Sequence, residues 1–343
     1  MSLKQLLQKY RIKLGKILLD KSSKDYNNKT AVKKILFLRQ DGKIGDYIVS
    51  SFVFREIKKL YPDVFIGVVC IRQNKYLFEQ NGYIDKLYVV KKRSISDVIK
   101  FGLEIRKQQY DAVIDPTLFV RNRDLLLLRL INATNYVGYK KSEYKIFNHN
   151  LEGEYHFSEV YQKALDMIGI HVQDTSYDVP ENDQVAEEIN KFLSINKITD
   201  FISINFYGAA RIKKVSDENI VKYLRYLTEV TKGKNIVILT YPEVTEKLIS
   251  LSKGFGNVFL YTKTNGIFHT IELIRHSDLL ISTDTSTIHI ASGFDKDIIG
   301  IYREDKIAFT HWRPKTKGSC HILFYKENIN EISPEQILPE WLN

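Results

Sequence analysis

The chain has 343 residues, of which 44% are hydrophobic, and a formal net charge of +10. This length allows two domains with separate cores, and the composition excludes an intrinsically disordered protein. The two cysteines, Cys70 and Cys320, form no disulfide or metal-binding pattern. The sequence also shows no apolar run of about 18 residues and no signal-peptide pattern, so it predicts a cytoplasmic protein without a membrane-spanning helix.

The excess positive charge is concentrated at the N-terminus, where residues 1–34 hold ten Lys and Arg against two Asp. Residues 1–32 are predicted to form a basic amphipathic arm. Its residues 3–24 either contact the anionic inner membrane, as such helices can, or pack on the domain behind them, and both interpretations stay open. No nucleic-acid motif accompanies the charge, so no nucleic-acid partner is expected. The apolar positions recur at helical spacing, opposite the lysines: Leu3, Leu6, Leu7, Tyr10, Leu14, Ile17 and Leu18.

From residue 33 onwards, predicted strands alternate with predicted helices. The strands are near-continuous apolar runs, which is typical of parallel strands covered on both faces. In the first half of the chain, the predicted strands cover 35–38, 64–69, 86–90, 112–114 and 136–139, and the predicted helices cover 47–60, 94–109 and a leucine-rich segment at 125–130.

A polar, proline-containing stretch at 179–183 interrupts this alternation and is the predicted link between two domains. Two consecutive sets of strand–helix units predict an α/β fold of two doubly wound Rossmann-like domains facing a central cleft. Ligands are then expected at the carboxyl ends of the strands. After the link, the predicted strands cover 201–205, 235–240, 258–261, 279–282 and 298–302, the last being the final strand, and the predicted helices cover 216–231, a segment after Pro242, 267–276 and a segment from Asp284.

The turn RQDGKIGD, residues 39–46, follows the first strand, where a nucleotide-binding fold places its phosphate loop. It carries two acids, Asp41 and Asp46, and a carboxylate is unsuited to binding phosphate. We interpret Asp41 as bonding the backbone of its own turn, as Asp residues often do. The function of Asp46 needs another explanation.

The segment ISTDTSTIHIAS, residues 281–292, runs from a strand into a helix start. Backbone N–H groups at a helix start bind phosphate, and His289 could reach the same anion. The alternative is that Asp284 to Thr287 are ordinary helix caps and that His289 is a structural histidine.

A second candidate phosphate loop is INFYGAARIKKVS, residues 204–216. Gly208 allows a ligand to approach the backbone, and the basic side chains that follow suit a pyrophosphate. A solvated charged loop is the alternative. Neither a GxxxxGK[ST] nor a GxGxxG pattern occurs in the chain.

Five segments resemble, in order, the glycosyltransferase family 9 enzymes, the bacterial lipopolysaccharide heptosyltransferases. KKILFLRQDGKIGDYIVSSFVFREIKKLYPDVFIGVV resembles their first strand, RxDxxGD-type loop and YPD-like turn. YDAVIDPT with LLLLRLINATNYVGY resembles their next strand end, helix and strand, and YGAARIKKVS occupies the place of their basic loop. LISTDTSTIHIASGFDKDIIGIY is similar to their DTGxxH signature and HWRP to their late W-x-P, so the match spans roughly residues 33–314.

The resemblance implies a GT-B fold in which residues 33–178 bind the acceptor and residues 179–343 bind a nucleotide-sugar. A last helix could pack back on the first domain. Inverting transfer without a metal or another cofactor is implied, with Asp46 as the catalytic aspartate. The implied donor-binding residues are Gly208, Lys213, Asp284, Thr285, Ser286, Thr287, His289 and Glu243 or Glu246, and the candidates for an anionic glycolipid acceptor are Arg39, Lys43, Gly45, Arg121 and Arg123.

The chemistry of such a transfer agrees with these assignments. A carboxylate such as Asp46 can take the proton of the attacking sugar hydroxyl. Lys213 and the helix start at Asp284 can stabilise the charge of the departing diphosphate. Base and stabiliser would come from opposite domains, and domain closure would bring them together.

The predicted function is transfer of a heptose from ADP-heptose onto the inner core of lipopolysaccharide. The chain departs from the family pattern in a loop one residue longer around Gly42, in Ser286 instead of glycine and in Val215 instead of tryptophan. Another nucleotide-sugar therefore remains an alternative donor. A non-catalytic nucleotide-sugar-binding protein and a nicotinamide-dependent oxidoreductase are the rival functions, and the missing GxGxxG pattern counts against the oxidoreductase.

Overall fold

The computed structural model describes residues 3–23, 31–91 and 94–342, without the side chains of Leu3, Lys4, Gln5, Leu7, Gln8, Lys9 and Arg11. Parts of the predicted arm, at 1–2 and 24–30, and two side chains of its apolar stripe thus lie outside the described residues. The chain divides into two compact units, unit 1 (Met1–Ser176) and unit 2 (Tyr177–Asn343). The sequence predicts this boundary after Asp178.

Unit 1 consists of a parallel sheet covered by helices. Its strands are β1 (Lys34–Arg39), β2 (Phe65–Ile71), β3 (Lys86–Val90), β4 (Ala112–Asp115), β5 (Asn135–Tyr139) and β6 (His149–Leu151). Its helices are α1 (Leu3–Leu19), α2 (Ile44–Ile48), α3 (Phe52–Leu60), α4 (Lys75–Glu79), α5 (Ile95–Gln108), α6 (Asn122–Ile131) and α7 (Phe157–Asp166). Within the described residues the strand order is β3-β2-β1-β4-β5-β6.

Unit 2 repeats this architecture. Its strands are β7 (Phe201–Asn205), β8 (Asn235–Ile238), β9 (Val258–Leu260), β10 (Leu279–Thr283), β11 (Asp297–Arg303) and β12 (Cys320–Tyr325). Its helices are α8 (Asp183–Ile195), α9 (Asp217–Val230), α10 (Thr245–Leu251), α11 (Ile267–His276), α12 (Ser286–Gly293) and α13 (Lys306–Trp312). In the described part of the chain the strand order is β12-β11-β10-β7-β8-β9.

In both sheets the strand order changes direction at the first strand of the unit, which lies between the second strand and the fourth strand of that unit. In unit 1, β1 pairs directly with β4, with Ile35 opposite Ala112. In unit 2, β7 pairs directly with β10, with Ile202 opposite Leu279. The loops after two such strands diverge and leave a crevice at the carboxyl edge of the sheet, where open α/β sheets bind their ligands. The predicted site turns follow these central strands.

The alternation predicted from the sequence is confirmed for the central elements. β1 and β7 are buried almost along their whole length, which explains their near-continuous apolar sequences. Some elements were not predicted. The elements β6, α4 and α13 are short, but α7 and α8 are amphipathic helices of 10 and 13 residues that the sequence analysis missed, as it missed the edge strand β12.

The single helix predicted over 47–60 is wrong, because the structure has two helices, α2 and α3, separated at 49–51. The hydroxyl of Ser50 donates to the carbonyl of Asp46 at 2.8 Å, and that of Ser51 donates to the carbonyl of Ile48 at 2.7 Å. Serine hydroxyls that bond back to preceding carbonyls compete with the helical ladder and bend it. The short helix before the break, α2, carries Asp46.

The prediction that 298–302 is the final strand is also wrong. β12 pairs in parallel with β11 at the sheet edge, and its apolar run at 322–325, which is only partly buried, was missed. The chain then ends in short 3-10 turns at Ile329–Glu331, Pro334–Gln336 and Pro339–Leu342 instead of a helix. Apolar residues of these turns, including Ile337 and Leu342, are buried in the core of unit 2.

The predicted amphipathic helix is confirmed as α1. Four residues of its apolar stripe are exposed and do not pack on the rest of unit 1. The exposed stripe residues are Tyr10, Leu14, Ile17 and Leu18. The opposite face, which includes Gly15 and Leu19, packs instead. Among the described residues, no helix combines the length and apolarity needed to cross a membrane.

Candidate active site

Asp41, the first of the two acids in the turn after β1, holds this turn in place. The Asp41 carboxylate accepts hydrogen bonds from Arg39 Nε at 2.9 Å and from the backbone N–H of Lys43 at 3.2 Å. Gly42 has a φ of 73°, in the left-handed region that favours glycine. The interpretation of Asp41 as a bracing residue is therefore confirmed.

Arg39, expected to meet an acceptor, lies instead beneath the turn with 0% exposure. Its guanidinium donates to Asp41 and to the Ser50 hydroxyl. The same group lies 5.6 Å from the centre of the Phe78 ring and 5.5 Å from that of Tyr161. Because Arg39 is enclosed, its role is to hold the turn, and it cannot contact a ligand from solvent. Arg39 is the last residue of β1, and a lone Arg at a strand end gives no sequence signal of burial.

Asp46 lies in the first turn of α2, half-buried at the carboxyl edge of β1. Burial raises the pKa of Asp46 to about 6, and the nearby Asp41 carboxylate adds to the rise. The Arg39 and Lys43 cations act in the opposite direction. A carboxylate with a pKa near neutrality is a better proton acceptor than an ordinary aspartate and is still ionised at pH 7.

The other acceptor candidates surround this edge of unit 1. Lys43 is exposed in the turn, and Gly45 is part of α2. Arg121 is exposed at the start of α6, after β4, whereas Arg123 lies 3.5 Å from the carboxylate of Asp124. Because β1 and β4 are neighbours, the turns that follow them share one edge of the sheet.

A buried ion pair below this edge was not predicted. Lys141 Nζ lies 2.6 Å from Asp115 Oδ2, and both side chains are almost fully buried. Asp115 also accepts from the N–H and hydroxyl of Thr117, so the loop after β4 is fixed at its first residues. The sequence did show Asp115 at the end of a buried strand. Its partner, Lys141, is 26 positions away, and no local pattern in the sequence connects the two residues.

In unit 2 the structure brings two predicted donor residues together. Lys213 Nζ lies 2.5 Å from Asp284 Oδ2 and donates to the Asp284 carbonyl at 3.2 Å. The N–H of Gly208 donates to the carbonyl of Lys213 at 2.8 Å, which closes the loop after β7. A Cβ on Gly208 would lie 2.5 Å from Lys213 Cβ, so glycine is needed for this close approach.

Hydroxyl groups form a second cluster at the same edge. Thr287 Oγ1 lies 2.7 Å from the hydroxyls of both Ser282 and Thr285. Asn205 Nδ2 donates to Ser282 and Thr285, each at 3.1 Å, and so connects the end of β7 with the start of α12. Asn205 was missed from the sequence, although a polar residue ending a buried apolar strand is a usable signal.

The start of α12 lies beside Lys213. Thr285 occupies the N-cap position without a side-chain capping hydrogen bond, and Ser286 is the first helical residue. The Ile288 N–H donates to the Thr285 carbonyl at 3.2 Å, whereas the N–H groups of Ser286 and Thr287 have no intrahelical acceptor. Those N–H groups and the helix dipole favour an anion. The lysine and the helix start together form a positively polarised edge at the β7/β10 switch point.

His289 lies one turn into α12 and is buried, with its ring centre 5.6 Å from that of Trp312. Burial lowers the pKa of His289 to about 4, although the Asp284 carboxylate acts in the opposite direction. His289 is therefore neutral at pH 7 and adds no positive charge to the site. Its Nδ1 is buried and has no hydrogen-bond partner among the described residues.

Glu243 and Glu246, the candidates for a ribose-binding acid, are both exposed. They lie in the turn after β8 and in the first turn of α10. β8 is the neighbour of β7, so these acids are one strand away from the Lys213 loop. Among the described residues, no group of three or more His, Cys, Asp or Glu side chains is placed to hold a metal ion.

Solved structures with the same fold include glycosyltransferases. A glycosyltransferase family 9 protein from Veillonella parvula DSM 2008 matches with a TM-score of 0.72 and 18% identity, over 90% of this chain and 97% of that one. The Escherichia coli ADP-heptose lipopolysaccharide heptosyltransferase II matches with a TM-score of 0.67 and 13% identity, over 90% and 97%. The structure of E. coli heptosyltransferase WaaC with ADP matches with a TM-score of 0.66 and 14% identity, over 88% of this chain and 97% of that one. These matches show a GT-B-like fold.

Sequence comparison agrees with the fold. An E. coli K12 protein provisionally named lipopolysaccharide heptosyltransferase 4 is 22% identical over 318 residues, which is 89% of this chain and 85% of that protein. The family model described as glycosyltransferase family 9 (heptosyltransferase) matches residues 98–336, well over half of the chain. With the two parallel sheets and the motifs at their carboxyl edges, this match identifies the chain as a glycosyltransferase that belongs to family 9, the heptosyltransferase family.

Proposed function

We propose that this protein transfers a heptose from ADP-heptose onto the anionic inner core of lipopolysaccharide, with inversion and without a metal or another cofactor. Membership of glycosyltransferase family 9 supports the reaction class. The names of two similar E. coli structures mention ADP-heptose or ADP, which supports the choice of donor. The observation that carries the proposal is the half-buried Asp46 carboxylate, with its pKa raised to about 6 at the carboxyl edge of unit 1.

In the proposed step, an acceptor hydroxyl attacks the anomeric carbon from the face opposite the diphosphate. The new C–O bond forms while the bond to the diphosphate oxygen breaks, and the leaving nucleotide keeps the electron pair. Asp46 accepts the proton of the attacking hydroxyl. The hydroxyl is far less acidic than Asp46, so proton transfer accompanies bond formation, and this general-base assistance contributes about 10²–10⁴-fold.

The donor is assigned to the positively polarised edge of unit 2. Lys213 and the first turn of α12 would stabilise the charge that develops on the departing diphosphate. Asp284, at 2.5 Å from Lys213, orients the ammonium group. His289 is neutral, so we assign it a hydrogen-bonding role and no charge. Glu243 or Glu246 would contact the ribose hydroxyls.

The acceptor is assigned to the carboxyl edge of unit 1. Lys43 and Arg121 are exposed there and suit phosphate or carboxylate groups, with Arg123 beside them and Gly45 allowing close approach. We place the reaction in the cytoplasm. Both cysteines are free, as expected for a protein of a reducing compartment.

Two substitutions separate catalysis from donor binding. Asp46→Asn should lower transfer at least about 100-fold and leave ADP-heptose affinity unchanged, because it removes only the base. Lys213→Met should weaken donor binding by roughly 10–100-fold, the usual contribution of a charge-assisted hydrogen bond. Lys214→Met, which changes the exposed neighbouring lysine, is the matched control and should resemble the wild type. Calorimetry measures binding, and transfer to a heptose-deficient lipopolysaccharide measures activity.

The same experiment tests the alternatives. Wild-type binding of a nucleotide-sugar without transfer to any truncated lipopolysaccharide would indicate a non-catalytic binding protein. Tighter binding of a UDP- or GDP-sugar than of ADP-heptose would replace the proposed donor. Full activity of Asp46→Asn would rule out Asp46 as the base.

A further inference from the structure

One face of α1 is fixed to unit 1. Lys16 Nζ lies 3.1 Å from a carboxylate oxygen of Glu143 and 4.2 Å from the centre of the Tyr144 ring. The Asp20 carboxylate, directly after the helix, accepts from the backbone N–H of Ile146 at 3.0 Å. A Cβ on Gly15 would clash with the Asn122 side chain, so the helix touches the start of α6 closely. The orientation of α1 about its own axis is therefore defined.

This orientation leaves the apolar stripe of α1 in solvent. Tyr10 is 63% exposed, Leu14 59%, Ile17 67% and Leu18 61%. These positions follow helical spacing and lie on one face, opposite the face that contacts unit 1. Contiguous exposed apolar residues of this size mark an interaction surface.

Basic residues flank the stripe on both sides. With the 100° step of an α-helix, Lys9 and Lys13 fall along one border of the stripe, and Lys4 and Arg11 fall along the other. Lys13 is exposed. The sequence of α1 holds five basic residues and no acidic residue, so the apolar strip belongs to a strongly basic helix.

We propose that α1 docks the protein onto an anionic phospholipid bilayer, with Tyr10, Leu14, Ile17 and Leu18 inserted at the level of the headgroups. A helix of 17 residues is about 25 Å long and lies in the interface without crossing the bilayer. This docking is independent of the proposed donor, acceptor and general base, because α1 contains none of those residues.

Charge complementarity selects a membrane over a protein partner. A protein surface that covers the stripe would have to provide acidic groups along both borders of the helix, whereas an anionic bilayer presents negative charge on every side of an inserted apolar strip. Each Lys or Arg near such a surface strengthens binding about five-fold, and salt weakens this contribution.

Binding to lipid vesicles tests the proposal with the full chain. The wild type should co-sediment with vesicles that contain phosphatidylglycerol, bind phosphatidylcholine vesicles much more weakly, and dissociate at high salt. A double variant, Leu14→Glu with Ile17→Glu, should lower the partition coefficient at least about tenfold, since it places charge in the apolar strip. Lys13→Glu should weaken binding to anionic vesicles only.

Ile195→Glu is the matched control, because Ile195 is 69% exposed and belongs to α8 instead of α1. It should bind vesicles like the wild type. The changed side chains are exposed, so circular dichroism should be the same for all variants. Unchanged vesicle binding by the double variant, or equal binding to anionic and neutral vesicles, would overturn the proposal. So would a dimer that forms without lipid and is lost in the double variant, because a second copy would then cover the stripe.

Discussion

Asp41 and Asp46 belong to the same turn, yet their surroundings give them different roles. Asp41 is committed to Arg39 and to the turn backbone, at 2.9 Å and 3.2 Å respectively. Asp46 lies at the start of α2, where burial and the charge of Asp41 raise its pKa to about 6. Asp41 thus braces the loop and also raises the pKa of Asp46, because two like charges are held close together.

The pH dependence of kcat/KM tests this arrangement. In the wild type kcat/KM should fall below about pH 6, because protonation removes the base. Asp41→Asn removes a like charge, lowers the pKa of Asp46 and should shift this fall to lower pH. Lys43→Gln removes an opposite charge and should shift it to higher pH. Shifts of both variants in the same direction, or no shifts, would contradict the assigned electrostatics.

The sequence predicted these residues to different degrees. The role of Asp41 followed from local turn chemistry, because the atoms it bonds lie within two positions of it. The burial of Arg39 did not, because it depends on Phe78 and Tyr161, which other elements bring to it. Asn205 was missed for the same reason, since its partners lie at the start of α12.

At the scale of elements, the C-terminal segment shows how packing replaces regular secondary structure. Its short 3-10 turns provide apolar side chains to the core of unit 2, where they lie close to α9. The hydroxyl of Tyr226 in α9 also donates to the carbonyl of Ile337. Such turns have no period longer than a few residues, so hydrophobic patterning cannot predict them.

Two adjacent residues test the importance of this segment. Ile337 is fully buried, whereas the next residue, Leu338, is 41% exposed. Ile337→Ala should lower the free energy of unfolding by about 2–5 kcal/mol through a core cavity. Leu338→Ala should change it by no more than about 0.5 kcal/mol. Denaturant titration measures both, and equal losses would show that the segment is not part of the core.

At the scale of the whole molecule, the chain consists of two units with separate hydrophobic cores. The candidate base belongs to unit 1 and the candidate donor residues belong to unit 2. In each unit the site loops follow the two strands that flank the switch point. The repeated topology explains why two chemically different sites occupy equivalent edges of similar sheets.

Hydrogen exchange with ADP tests this division. At an ADP concentration of about 100 times Kd, a site bound only in the native state should exchange roughly 100-fold more slowly. We expect the strongest protection at 206–216 and 284–290, in the two loops of unit 2. Stronger protection of residues 39–46 than of 284–290 would place the nucleotide in unit 1 and contradict the donor assignment. Lys213→Met, with its roughly 10–100-fold weaker binding, should lower this protection to between about twofold and about tenfold at the same ADP concentration.

The sequence by itself determined the alternation of strands and helices, the positions of the site loops and the family, because apolar runs, turn residues and motifs are local in the chain. The tertiary structure decided which polar groups are buried and which face of each helix is covered. Arg39 and His289 look like available charged or ionisable groups in the sequence, yet the first is enclosed and the second is neutral. The period of α1 defined its apolar stripe, but only the contacts of Gly15 and Asp20 with distant residues showed that the stripe faces solvent. Burial depends on contacts between elements that are far apart in sequence, and local patterns do not encode those contacts.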